Sequence, residues 1–148
     1  MIGFKIDQAK GMFFDSAKVV RSVDAATRRV LSKFGAFVRT AARSSIRKRK
    51  KSSPPGMPPS SHEGSLRRFL FFGYDPARRS VVIGPARLNK SSGAPETLEY
   101  GGRTTVVRIR RGKREKTRVT IQPRPYMRPA LKREMPKLKP MWANSVKP

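Results

Sequence analysis

The chain has 148 residues, no cysteine, one histidine, and 35 Lys and Arg against nine Asp and Glu, for a net charge of +26. That length suits a single domain, and the missing cysteines exclude disulfides and thiolate metal sites. No apolar run approaches the ~20 residues of a membrane span, and the N-terminus lacks the apolar stretch of a signal peptide.

A charge this one-sided repels itself, and a polyanion or an acidic protein surface relieves it. Nucleic acid is one such partner, because neutralised phosphates release counterions. Acidic faces of neighbouring proteins are the other. Composition leaves both open.

Residues 1–15 read as an N-terminal arm or short strand. A long helix follows over 16–51. Val20, Val23, Thr27, Val30, Leu31, Phe34, Phe37, Val38 and Ala41 recur at helical spacing, and arginines and lysines occupy the other sides. Its basic end, Arg47 to Lys51, suits the negative end of a helix dipole. Residues 52–65 carry four prolines and read as an extended crossover, with a polyproline ligand as the alternative.

Two hairpins are expected over 66–122. Leu66 to Tyr74 and Ser80 to Pro85 form the first, around a turn at Asp75 to Arg78. A polar loop over 86–94 and a short helix at Pro95 to Tyr100 follow, stopped by Gly101 and Gly102. Glu96 and Glu99 read as charges that cap and solubilise this helix. In the second hairpin Val107 and Ile109 alternate with Arg108 and Arg110, and Val119 and Ile121 with Arg118 and Thr120. That pattern predicts one apolar and one basic face. Within 123–148, Tyr126 to about Met135 reads as a short helix, with Pro136 at its end and an arm beyond.

The expected fold class is α+β: a long amphipathic helix packed on a small antiparallel sheet of hairpins, with extended loops and arms, in one domain of 148 residues. The expected core combines Phe34, Phe37 and Val38 with Leu70, Phe72, Val82 and Leu131.

Catalysis finds no support in the sequence. His62 sits in the proline-rich loop, and no acid, base and nucleophile can be grouped. No glycine-rich phosphate loop and no metal-ligand spacing occurs, so no cofactor is expected. Two basic clusters are candidate DNA or partner contacts: Arg47, Lys48, Arg49, Lys50 and Lys51, and Arg108, Arg110, Arg111, Lys113 and Arg114. Solvated surface is the plain alternative. No base-reading motif is present, so DNA contact would be directed at the phosphate backbone.

Several short motifs then occur in order: Ala41 to Ile46, Pro54 to Pro59, His62 to Arg67, Val82 to Pro85, Leu98 to Gly102, and Arg124 to Leu131. Together, over residues 14–146, they resemble the neck, or tail-completion, proteins of tailed bacteriophages. The resemblance implies a structural protein of the virion, made in the host cytoplasm. It implies a homo-oligomeric ring at the head–tail junction, between the portal-side adaptor and the tail-terminator or tail-tube proteins. Double-stranded DNA would pass through the lumen. Gly64, Leu66, Gly84, Pro85, Glu99, Gly101, Gly102, Pro125, Tyr126, Arg128 and Pro129 would serve the subunit structure and its interfaces. The competing class is a sequence-independent nucleic-acid-binding protein of ribosomal or nucleoid type.

Overall fold

The long helix, α1, runs Ser16–Ser45 in a computed structural model that describes residues 16–62, 64–86, 94–110 and 112–146. The expected arm at 1–15, residues 87–93 of the polar loop and Arg111 lie outside the described residues. At ~1.5 Å per residue α1 is ~45 Å long. It stops before the basic run. The hydroxyls of Ser44 and Ser45 donate back to the carbonyls of Ala41 and Ala42, at 2.9 and 2.7 Å. Such local bonds compete with further helix. Ile46 then turns fully into the core. Arg47 and Lys48 leave as a short strand, β1, paired in parallel with β2, Ser60–Ser61. The basic run is therefore not a helix end.

The proline-rich segment is a crossover fastened to the body. The Arg124 Nε donates to the carbonyl of Ser53 at 2.8 Å, and the Gly56 N–H donates to the carbonyl of Pro123 at 2.8 Å. A single helical turn, α2, spans Ser65–Arg68 where a strand was expected. Gly64 enters it at φ +83, and N–H groups of Arg68 and Phe69 close it onto Gly64 and Ser65.

The first hairpin then pairs β3, Leu70–Asp75, with β4, Ser80–Pro85. The Asp75 carboxylate accepts the N–H groups of Ala77 and Arg78 and shapes the turn. Leu70, Phe72, Val81 and Ile83 face α1, while Phe71 and Val82 face outward and are exposed. The period of two thus removes Val82 from the expected core. The helix approaches this hairpin closely at Gly35. A Cβ there would lie 2.7 Å from Val81 Cγ2 and 2.9 Å from Phe72 Cδ2.

The short helix is α3, Ala94–Tyr100, and the second hairpin pairs β5, Gly102–Arg110, with β6, Lys113–Ile121. The last helix, α4, runs Met127–Trp142, longer than expected, with Pro136 and Pro140 inside it. It packs along α1. Phe34, Val38, Ala41, Ala42, Ile46, Leu70, Tyr126 and Ala130 form the core. Phe37 and Leu131 lie at its margin, 38% and 37% exposed, so neither anchors it. Lys137 instead sits 5.6 Å from the Phe37 ring centroid, a cation–π contact. Lys137 also pairs at 2.5 Å with Glu134, whose side chain is buried. The result is the α+β arrangement expected, a long helix with small antiparallel hairpins.

Candidate nucleic-acid and partner interface

The first basic cluster is laid out by β1 and the bend after it. Arg47, Lys48, Arg49, Lys50 and Lys51 are all exposed. Pairing with Ser60 and Ser61 fixes where the run leaves the body, and Ile46 anchors it from the other side.

Of the second cluster, Arg108, Arg110, Lys113 and Arg114 lie on the β5–β6 ribbon. Its ladder runs from Gly102↔Ile121 to Arg110↔Lys113, with Gly112 in the turn at φ +76. The register overturns the expectation of one apolar and one basic face. Val107 pairs with Lys116 and Ile109 with Arg114, so the apolar positions of β5 stand opposite basic positions of β6. Alternation within each strand does not reveal this, because pairing decides which residues share a face. Thr104, Val106, Val119 and Ile121 share a half-buried face. Arg103, Thr105, Val107, Lys116 and Arg118 share an exposed one. Lys113 and Arg114, near the tip, are exposed too. Among the described residues the ribbon packs chiefly on itself and, at its base, on α3.

That base is a joint built from several of the candidate structural residues. Gly101 and Gly102 take φ +77 and +127, conformations that side chains resist. A Cβ on Gly101 would lie 3.0 Å from Pro123 Cδ and 3.1 Å from the Ile121 carbonyl oxygen. The carboxylate of Glu99, on α3, accepts three backbone N–H groups at the start of α4: Tyr126 at 2.8 Å, Met127 at 3.0 Å and Arg128 at 2.8 Å. These are donors that α4 itself leaves unpaired, and a negative charge suits the positive end of its dipole. Glu99 is 8% exposed, so it is no solubilising charge, contrary to the sequence reading. Tyr126 is buried beneath it. Burial, and then the neighbouring Glu99 charge, push the phenol up to about 12.

Pro125 is half-buried at this joint, whereas Arg128 and Pro129 expose their side chains in the first turn of α4. The Arg124 N–H donates to the Leu98 carbonyl at 2.6 Å and completes the link. Gly64, Leu66, Gly84 and Pro85 lie elsewhere. Leu66 packs on the core, and Gly84 and Pro85 pair with Phe71 and Leu70. The two basic clusters thus sit on different elements, and the joint organises the second.

Sequence reading missed Gly35 and a cleft between α1 and the β3–β4 turn, and it named Arg124 within a motif without its bond to Ser53. Arg28, Arg29, Ser32, Tyr74 and Arg79 line that cleft with Asp24. Arg28 and Ser32 are four apart, which places them on one helix face and was legible. The approach of Arg79 from the turn was not.

Among the described residues no group of three His, Cys, Asp or Glu side chains could hold a metal ion. No described helix is long and apolar enough to cross a membrane. No family model, curated protein or solved structure compared with the chain matches it.

Proposed function

We propose that the chain is a structural protein of the phage neck, forming a homo-oligomeric ring that joins head to tail. Its neighbours are the portal-side adaptor and the tail-terminator or tail-tube proteins, and double-stranded DNA passes through its lumen. It carries no catalytic role. The observation that carries this reading is the β5–β6 ribbon. Nine residues per strand leave a glycine joint, and among the described residues the ribbon packs mainly on itself and on α3. A lone two-stranded hairpin is marginally stable in water, and its edges present unpaired N–H and C=O groups. A neighbouring subunit supplies both the missing packing and the missing edge. The run Arg47 to Lys51 and the exposed Lys113 and Arg114 then meet DNA or acidic neighbours.

A free nucleic-acid binder of ribosomal or nucleoid type accounts for the +26 charge equally well. It gives no reason for a ribbon of nine residues per strand that, among the described residues, packs mainly on itself. Purified particles separate the two. The neck reading expects the protein in virions in a ring stoichiometry, and headless or tailless particles when it is deleted. Normal particles lacking the protein overturn it.

A further inference from the structure

We infer that the cleft between α1 and the β3–β4 turn is a phosphate-binding site for the backbone of nucleic acid. It is an open cleft of about 620 Å³. Arg28 and Arg29 enter it from α1, Tyr74 from β3, and Arg79 from the turn. Among the described residues one acid answers three guanidinium groups: Asp24, which pairs with Arg79 at 3.2 Å. Among the described residues Arg28 has no ion-pair partner, and Arg29 reaches only the Ser145 carbonyl, at 3.4 Å.

A second observation concerns the backbone. Arg79 sits at φ +47, in the left-handed region. Glycine or asparagine occupies that region at less cost. A left-handed residue is a common way to close a hairpin loop, and here it closes the loop just before Ser80. This turn position is the one that brings a third guanidinium to the cleft.

The chemistry selects a polyanion. A guanidinium offers a planar fork of donors that matches two phosphate oxygens. With the Asp24–Arg79 pair intact, two guanidinium charges remain uncompensated among the described residues. A protein carboxylate brings one charge, whereas successive phosphates along a nucleic-acid strand bring one each. The surrounding +26 field draws such a strand in. The cleft has no base-reading arrangement, so the contact is independent of sequence. The inference rests on the reading of the chain as a DNA neighbour. Ring formation is measured separately, so failure here leaves the ring untouched.

The test uses the full chain and a random-sequence DNA duplex, with affinity measured across a salt series. The cleft variant is Arg28→Gln with Arg79→Gly, and the charge-matched control is Lys132→Gln with Lys139→Gln on α4. Replacing Arg79 by glycine eases the backbone, so thermal stability should hold and folding does not confuse the result. The cleft variant should lower the slope of log K against log salt by about 2, since each lost phosphate contact removes about 0.9. The control should lower it by less than half of that. Equal losses in both variants would mean diffuse charge and overturn the site. Unchanged DNA binding with lost binding of poly-glutamate would assign the cleft to an acidic protein and overturn it too.

Discussion

The carboxylate of Glu99 caps a helix to which it does not belong, accepting the backbone N–H of Tyr126 at 2.8 Å. Two further N–H groups of α4 share the same side chain, which is buried. Removing it strands buried donors at a helix start. Glu99→Ala should therefore cost about 3 kcal/mol in urea unfolding, the scale of charged, buried hydrogen bonds. Glu99→Gln keeps one acceptor oxygen and should cost less. A loss below about 1 kcal/mol for the alanine variant would remove Glu99 from the joint.

Tyr126 gives this joint a pH signature. Its phenol is raised from 10.0 to about 12 in the folded chain. A raised folded value favours the protonated form. The stability it contributes is complete below pH 10 and is lost as pH rises from 10 through 12. The difference between the parent and Tyr126→Phe isolates this part from the titration of lysines and other tyrosines. That difference should be constant below pH 10 and shrink above it. A difference that stays flat to pH 12 would contradict the assignment.

At Gly35 a methyl group would meet Val81 and Phe72 at distances no relaxed contact shows. Gly35→Ala raises helix propensity by ~1 kcal/mol but overpacks the α1–hairpin contact by ~1–3 kcal/mol. The net should be a loss of about 1 kcal/mol. Combining it with Val81→Ala should recover most of that loss beyond additivity. A stabilised single variant would show that the hairpin moves aside freely.

Gly101→Val and Gly102→Val should each cost about 1–3 kcal/mol from backbone conformation alone. Gly101→Val should be the worse, because its side chain also meets Pro123 and the Ile121 carbonyl, whereas the space beside Gly102 is open. Thermal midpoints in the reverse order would mean that sterics at Pro123 do not matter. In particle assembly both variants should misplace the ribbon.

Phe37→Ala would cost ~3–5 kcal/mol if the ring were fully buried. With the ring 38% exposed the loss should be about 1–2 kcal/mol, part of it the contact with Lys137. Phe34→Ala, at 4% exposed, should take the larger value. Equal thermal shifts would put both rings in one environment.

The helix α1, both hairpins and the short helix before Gly101 were legible in the sequence, because spacing and turn residues act locally. Periodicities of 3.6 and 2 follow from the backbone, and Gly and Pro punctuate wherever they stand. The charge was equally plain. Tertiary structure alone decided the rest. Which side of α1 is covered depends on where α4 and β3–β4 lie, so Phe34 is buried and Phe37 is not. Ser44 and Ser45 offer a local reason for the helix to stop, but that Ile46 is buried there depends on the elements packed around it. The ribbon's mixed face follows from a register between strands, and Glu99 reads as a surface acid until α4 folds its N-terminus onto it. Arg79 joins Arg28 and Arg29 only because the hairpin turn lies over the helix. A residue's own neighbours in the chain set its conformation. What it pairs with, and whether water still reaches it, depends on segments far away in sequence.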